Sequence, residues 1–179
     1  MYKRQAVTLR EIPDEITLCI NISNCPCRCK GCHSSYLAGD IGEDLDEDSL
    51  VDMMLSNKGI TCVAFMGGDS SPEYVNWLAG IIRSMYTNEL DKGSWVDVRI
   101  AWYSGRQELS PAIELKNFNY IKLGPYIEEL GPLNNPNTNQ RFYEVRMSRE
   151  IDENGNPIYG LTDLSLIHIS EPTRLRCIS

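Results

Sequence analysis

The sequence contains an alternating apolar segment that runs directly into a cysteine-rich loop: Ile16-Thr17-Leu18-Cys19-Ile20-Asn21-Ile22-Ser23-Asn24-Cys25-Pro26-Cys27-Arg28-Cys29-Lys30-Gly31-Cys32. Isoleucine or leucine occupies every second position of residues 16–22, and this period of two predicts a β-strand. The cysteines therefore begin at the carboxyl end of that strand. In parallel α/β sheets the carboxyl ends of the strands carry the functional site, so we expect the loop to be part of one.

Three of the cysteines, Cys25, Cys29 and Cys32, have the spacing C-x3-C-x2-C. Iron–sulfur clusters are typically held by cysteine thiolates. Three thiolates leave one iron of a [4Fe–4S] cluster open to a ligand, much as catalytic zinc sites keep one position open. The alternative is a structural zinc site or a buried thiol cluster, with Cys27 or His33 as a fourth zinc ligand. Strain within the short gap opposes ligation by Cys27 together with both its neighbours, so a packing role is expected for it.

A glycine pair follows a second apolar run. Residues 60–66 are mostly apolar and predict another strand, which ends at Gly67-Gly68-Asp69, and Gly67 stands 35 positions after Cys32. Glycine allows a backbone to approach a ligand closely. Taken alone the pair is an ordinary turn. Its position after a strand, next to an acidic residue, indicates a ligand site at the same edge of the sheet as the cysteines.

Together the two segments resemble the radical S-adenosylmethionine (radical SAM) enzymes, whose signature is the C-x3-C-x2-C loop. Gly67-Gly68-Asp69 is similar to the family's Gly-Gly-Glu segment, in which backbone and carboxylate hold the methionyl amino group of S-adenosylmethionine (SAM). Asp69 replaces the glutamate, which shortens the reach by one methylene and keeps the charge. Gly31 stands where many members carry an aromatic residue.

Two later segments resemble one subfamily, the activating proteins of anaerobic ribonucleoside-triphosphate reductase. They are Tyr120-Ile121-Lys122-Leu123-Gly124-Pro125-Tyr126-Ile127 and Asn137-Thr138-Asn139-Gln140-Arg141. The likeness covers roughly residues 12–146. It implies an open, incomplete (β/α) radical SAM barrel with parallel strands.

The same likeness implies an activity and its partners. Cys25, Cys29 and Cys32 would hold a [4Fe–4S] cluster that cleaves SAM reductively to methionine and a 5′-deoxyadenosyl radical. The radical would take a hydrogen from a glycine on the large reductase subunit, which makes the chain an anaerobic oxidoreductase that generates glycyl radicals. A flavodoxin- or ferredoxin-type protein would supply the electron. SAM would bind at Gly67, Gly68 and Asp69.

Two further residues are candidates for contact with the cofactor. His33 adjoins Cys32 and could donate a hydrogen bond to a cluster sulfide or to the SAM carboxylate; a solvated loop residue is the alternative. Ser104, at the end of a predicted third strand, could reach the ribose or carboxylate of SAM, or could belong to a plain turn.

Other polar residues have two interpretations each. Lys122 and Tyr126 line the site or only shape the end of a fourth strand. Asn139, Gln140 and Arg141 face the partner protein if the subfamily likeness holds, or form a polar loop.

Further elements complete an α/β pattern. Asp46 is expected to cap a helix that ends near residues 57–59, and Ser71-Pro72 to begin another. Strands are predicted near 95–103 and 119–123, a short helix near 110–116, and a hairpin over 142–162 with Asn154-Gly155 as its turn. Strand–helix alternation favours a parallel sheet with right-handed crossovers.

Composition excludes several classes of protein. The 179 residues carry a net charge of −8 and no basic run, so nucleic acid and anionic membrane surfaces are not expected partners. No apolar stretch approaches the roughly 20 residues of a membrane span, and no signal-type segment follows the N-terminus. We therefore expect a cytoplasmic protein whose seven cysteines bind metal rather than form disulfides.

The domain division follows from the last residues. Residues 164–179 resemble translated sequencing-adapter DNA and are expected to be a non-native tail, so His168 and Cys177 should have no function. Residues 1–163 then form one radical SAM domain with one cluster.

Alternative functions stay open at this point. One is a radical SAM enzyme that acts on another protein or a small molecule. Another is a non-enzymatic iron–sulfur electron carrier with Cys27 as fourth ligand, or a zinc-stabilised module. Neither of the last two accounts for Gly67-Gly68-Asp69.

Overall fold

The protein folds as a seven-stranded mixed β-sheet with helices on one face. The structure is a computed structural model, and it describes residues 2–9, 11–89 and 98–165. Strands and helices follow one another along the chain as β1 (Tyr2–Thr8), β2 (Thr17–Ile22), α1 (Glu47–Ser56), β3 (Cys62–Gly67), α2 (Pro72–Glu89), β4 (Arg99–Tyr103), β5 (Tyr120–Leu123), β6 (Arg141–Ile151) and β7 (Pro157–Asp163).

Strand order in the sheet is the same as strand order in the sequence, β1 to β7. The central strands β2, β3, β4 and β5 are all parallel. The strands β1, β6 and β7 pair antiparallel to their neighbours. An α/β fold is therefore confirmed, and the four strands that were expected to be parallel are parallel. The sheet as a whole is mixed, because β1 and the hairpin β6–β7 add antiparallel strands on either side.

The larger core lies between the sheet and the two helices. Side chains of alternate strand residues, among them Ile20, Phe65 and Trp102, are fully buried against Leu50 of α1 and Leu78 of α2. Because successive side chains of a strand point to opposite faces, this packing assigns the residues between them to the other face. The helices thus cover one side of the parallel strands.

A smaller cluster covers part of the opposite face. Phe142 is fully buried there, stacked on Tyr120 at 5.6 Å between ring centroids and edge-on to Tyr103 at 6.2 Å. Ile12 and Leu133 pack into the same cluster from connecting segments. Among the described residues, the side chains added to this cluster from outside the sheet come from connecting segments rather than from α1 or α2, whereas Phe142 belongs to β6 of the sheet itself.

Helix ends agree with the sequence-based expectations. The Asp46 side chain accepts a hydrogen bond of 2.9 Å from the amide of Ser49, the first-turn capping contact that was predicted. Helix α2 begins at Pro72, where the missing proline N–H costs no hydrogen bond. The C-terminal hairpin forms with Gly155 at φ +82° in its turn, and it extends the main sheet through β5.

Three expectations need correction. Strand β1 was not predicted at all. The helix expected at 110–116 is only a short 3₁₀ turn, Leu115–Asn117, preceded by a turn at Ser110. The third strand is observed as Arg99–Tyr103, and residues 95–97 of the longer strand that was expected lie outside the described residues.

The start of the expected tail contacts the fold. The amide of Leu164 donates to the carbonyl of Phe142 at 2.7 Å, and the amide of Phe142 donates to Ser165 Oγ at 2.8 Å. Residues 166–179, with His168 and Cys177, lie outside the described residues. Within the described part of the chain, no helix is both long enough and apolar enough to cross a bilayer.

Candidate functional site

The candidate site lies at the edge of the sheet where the four parallel strands end. The cysteine loop follows β2, Gly68 and Asp69 follow β3, and Ser104 and Gly105 follow β4. Lys122 lies one residue before the end of β5. Carboxyl ends of parallel strands share one edge, and the contacts below show that these side chains meet there.

The backbone of the cysteine loop is held at both ends. The amide of Cys25 donates to the carbonyl of Leu37 at 2.9 Å, and the amide of Cys32 donates to the carbonyl of Cys29 at 3.2 Å. Arg28 has φ +45° and Gly31 has φ +73°, two left-handed residues that turn the chain back on itself. All four loop cysteines are free thiols of intermediate burial.

Cys27 points into the site, and its thiol makes a packing contact of the kind that was expected for it. Sulfur Sγ of Cys27, Sγ of Cys25 and a carboxylate oxygen of Asp69 all lie within 4.8 Å of one another. A Cβ added to Gly105 would lie only 2.7 Å from Cys27 Sγ, so the thiol packs directly on this glycine. Burial, with the nearby Asp69 and Cys25, raises the pKa of the Cys27 thiol to about 12.

The glycine pair lets two strand ends approach each other. Gly67 has φ +93° and Gly68 has φ +83°, in the left-handed region that favours glycine. A Cβ on Gly67 would come within 2.9 Å of the carbonyl oxygen of Ile22, and a Cβ on Gly68 within 2.4 Å of Cγ2 of Val75. The buried indole of Trp102 donates from Nε1 to the carbonyl of Gly67 at 2.7 Å and fixes the turn.

Asp69 is buried and fully engaged. Its side chain is 1% exposed; Oδ1 accepts from the hydroxyl of Ser104 and Oδ2 from the amide of Gly105 at 3.1 Å. Arg106 approaches from solvent, with Nε 4.0 Å from Oδ1 and Nη2 donating to the Asp69 carbonyl. The predicted residue Ser104 is thus brought to Asp69, where it orients the carboxylate.

A buried lysine supplies positive charge to this edge. Lys122 is 8% exposed, and its Nζ donates to the carbonyl of Gly124 at 2.6 Å and to that of Ser104 at 3.4 Å. Burial lowers the pKa of Lys122 to about 8, opposed first by the negative charge of Asp69 and then by the thiols of Cys29 and Cys27. The lysine therefore lies among the anionic groups of the site.

His33 is exposed on the loop, and its Nδ1 lies 3.4 Å from the hydroxyl of Ser34. Its contact with a cofactor stays a prediction. Tyr126 lies against Gly31, where a Cβ would approach its ring carbon to 3.4 Å. The Tyr126 ring thus lies beside Gly31, the position at which many radical SAM enzymes carry an aromatic residue.

The segment predicted to face a partner is partly buried. Gln140 is only 6% exposed, so the prediction is wrong for its side chain. Asn139 donates from Nδ2 to the carbonyl of Pro125 at 2.9 Å, and the exposed Arg141 donates to the carbonyls of Thr138 and Gln140. The polar-loop interpretation therefore describes most of these contacts.

A cavity of about 450 Å³ opens on the helix side of the same edge. Gly68 and Asp44 line it, together with the stacked rings of Tyr74 and Trp77, whose centroids are 5.5 Å apart. Sequence reasoning missed this cavity. The acidic run at residues 40–48, just before α1, was the available signal for its charged rim.

The site therefore combines soft thiols, a buried carboxylate and a buried cation beside a glycine turn that packs closely on β2 and α2. Such a set can hold a metal ion or cluster and a zwitterionic ligand beside it. Scans against protein-family models, curated proteins and solved structures find no significant match to this chain.

Proposed function

We propose that this chain is a radical SAM enzyme, an oxidoreductase that activates anaerobic ribonucleoside-triphosphate reductase. One observation supports it above the others. The cysteine loop and Gly67-Gly68-Asp69, far apart in sequence, meet at one edge of a parallel sheet, with Asp69 within 4.8 Å of the Cys25 thiol. The proposal needs these two segments to be neighbours.

The residues present fit a [4Fe–4S] cluster. Cys25, Cys29 and Cys32 are free, partly buried and carried by one loop, and so are available as thiolate ligands. A cluster with three thiolates is anionic, and the buried Lys122 provides a nearby positive charge. An open, incomplete barrel would place the cluster on the helix-free face of the sheet.

The cluster would supply one electron to SAM, whose carbon–sulfur bond then breaks to methionine and a radical that takes a hydrogen from a glycine of the partner. The protein would orient the ligand. The left-handed turn at Gly67 and Gly68 leads directly into Asp69, whose carboxylate lies beside the loop thiols and can accept from an ammonium group. Ser104 and the Gly105 amide hold that carboxylate in place.

The partner class is part of the proposal. A glycine on a second protein must reach the site, and in the described part of the chain neither α1 nor α2 packs in the cluster on the helix-free face of the sheet. The large subunit of anaerobic ribonucleotide reductase is the proposed substrate, and a flavodoxin- or ferredoxin-type protein the proposed reductant. Their use would be anaerobic, because an iron with an open position is exposed to oxygen.

The test is anaerobic reconstitution of the full chain with iron and sulfide, followed by reduction and an assay for 5′-deoxyadenosine from SAM. Cys29→Ala should abolish the product. Cys19→Ala is the matched control, because Cys19 is buried on a strand outside the loop and its loss should leave the product. A glycyl radical detected by electron paramagnetic resonance on the reductase subunit would establish the partner; product without that radical would favour another protein or a small molecule.

A second candidate is an electron carrier with four thiolate ligands. The inward position of Cys27, close to Cys25 and Asp69, favours it, because a fourth thiol is then at hand. An iron-loaded wild-type protein that never cleaves SAM, and whose cluster is lost in Cys27→Ala, would support the carrier and contradict the enzyme.

A further inference from the structure

The three groups Cys25 Sγ, Cys27 Sγ and a carboxylate oxygen of Asp69 form a compact triangle, with every pair within 4.8 Å. In a tetrahedral zinc site, bonds of about 2.3 Å to sulfur and about 2.0–2.2 Å to oxygen place neighbouring ligand atoms roughly 3.5–3.8 Å apart. The triangle therefore needs movements of about one ångström or less to surround a single ion. Thiolates of a cubane cluster bind separate irons, whereas this triangle is compact enough for one ion.

Two of the three ligand groups are already held in position. Asp69 is oriented by the Ser104 hydroxyl and the Gly105 amide, and each carboxylate oxygen keeps a lone pair for a metal. Cys27 packs on the Cα of Gly105, so its thiol cannot move away in that direction. Outer-shell contacts of this kind are what orient the ligands of metal sites.

Charge balance also suits one divalent ion. Two thiolates and one carboxylate around a dication carry a net charge of −1. Arg106, with Nε 4.0 Å from Asp69 Oδ1, and the buried Lys122 are the neighbouring cations that offset it. Paired thiolates select thiophilic ions such as Zn²⁺ over magnesium or calcium.

We propose that, in the protein without its iron–sulfur cluster, Cys25, Cys27 and Asp69 form a separate mononuclear site for a thiophilic divalent cation, with Zn²⁺ as the reference ion and water as fourth ligand. Because Cys25 belongs to both sets, the ion and the cluster exclude each other. The site is thus a competing state of the loop, and it assigns a ligand role to Cys27 that cluster binding does not need.

The direct test is X-ray absorption at the zinc edge on the full, metal-free chain loaded with one equivalent of Zn²⁺ under anaerobic conditions. The expected shell has two sulfur and two oxygen ligands. A zinc knot made by the loop cysteines would instead give three or four sulfur ligands, and that result would overturn the proposal.

Variants separate the two ligand sets. Competition with a chromophoric chelator should show zinc affinity reduced at least about tenfold in Cys27→Ser and in Asp69→Asn, and unchanged within about twofold in Cys32→Ser. Cluster assembly should show the reverse, lost in Cys32→Ser and kept in Cys27→Ser. Equal weakening of zinc binding by Cys27→Ser and Cys32→Ser would contradict the proposal. Circular dichroism checks that each variant folds. If Asp69→Asn does not fold, Cys27→Ser alone still tests the proposal.

The outcome does not depend on the proposed function. Zinc bound through two sulfurs in a protein that never assembles a cluster would leave this site standing and remove the radical SAM proposal. SAM cleavage by a protein whose zinc shell has three or four sulfurs would support the radical SAM proposal and remove the proposed zinc site. Where both hold, prior loading with Zn²⁺ should slow cluster assembly in the wild type and not in Cys27→Ser.

Discussion

The hydroxyl of Ser104 donates a hydrogen bond to Oδ1 of Asp69, and each side chain is only 1% exposed. The two residues follow adjacent parallel strands, β3 and β4, so their contact depends on the register of the sheet. The same hydroxyl accepts from the amide of Arg106 at 3.0 Å. Ser104 therefore links the carboxylate to the backbone that follows β4, and it acts on any ligand through Asp69.

Ser104→Ala should destabilise the protein by about 1–3 kcal/mol, because a buried carboxylate loses one of its two donors. Urea unfolding monitored by circular dichroism measures this loss. Ser148→Ala, an exposed serine on the hairpin, is the control and should change stability little. If the proposed function holds and Ser104 positions Asp69, the KM for SAM should also rise in Ser104→Ala; an unchanged KM together with lower stability would leave only a structural role.

Gly68→Ala, compared with a glycine of similar φ, separates the effect of close packing of Gly68 on Val75 from the effect of backbone strain. An alanine at φ +83° pays about 1–2 kcal/mol for its left-handed conformation. At Gly68 the new methyl would also lie 2.4 Å from Val75, adding about 1–3 kcal/mol for overpacking. Gly59→Ala is the matched control, because Gly59 has φ +86° and nothing within 4 Å of the added carbon. Equal losses of unfolding free energy in the two variants would refute the packing at Gly68.

Glu15→Gln should weaken the sheet at the amino ends of its parallel strands, away from the candidate site at their carboxyl ends, and should not affect that site. Glu15 is 8% exposed, accepts from the Thr61 hydroxyl at 2.5 Å and pairs with Arg99 at 3.1 Å. Loss of these charge-assisted contacts should cost about 1–3 kcal/mol in chemical denaturation. The exposed pair Glu114–Lys116 provides the control, since Glu114→Gln should cost about 1 kcal/mol or less. Cluster assembly in Glu15→Gln should equal that of the wild type.

Thiol alkylation should distinguish the loop from the core in the cluster-free protein. Burial raises the pKa of Cys19 to about 12, so at pH 8 only about one molecule in ten thousand carries its thiolate. Burial also raises the pKa of Cys62. Iodoacetamide labelling with peptide mass mapping should therefore modify Cys29 and Cys32 first. Cys19 and Cys62 should react only in denaturant.

Within the loop, Cys27 should be the slowest thiol to react, because burial and its anionic neighbours raise its pKa to about 12. Below that pKa its labelling rate should rise about tenfold for each pH unit. Labelling of Cys27 as fast as that of Cys29 would mean that its side chain faces solvent, against the packing on Gly105.

Local signals made several elements predictable. Asp46 and Pro72 mark helix starts, Gly155 marks a hairpin turn, alternation of apolar residues marks β2, and a continuous apolar run marks β3. Strand β1 carries no such signal: its sequence, Tyr-Lys-Arg-Gln-Ala-Val-Thr, lacks a clear alternation. It is an edge strand that gains its hydrogen bonds from β2, and Val7 is 48% exposed.

The site was predictable to the level of its segments and not of its side chains. Motif order placed the cysteines and the glycine pair at one edge. Cys27 is followed by Arg28 at φ +45°, a left-handed residue that no local pattern in the sequence indicates. Alternation along β5 places Lys122 on the face opposite Ile121 and Leu123, and its burial there was not predicted.

Strand order that matches chain order has a consequence for how the protein is made. Each strand, on leaving the ribosome, finds its only upstream neighbour already synthesised, so the sheet can grow by one strand at a time without waiting for distant segments. Gly67, Gly68 and all four loop cysteines are translated before β4. The nascent chain can therefore bring its thiols together while half of the sheet is still to be made.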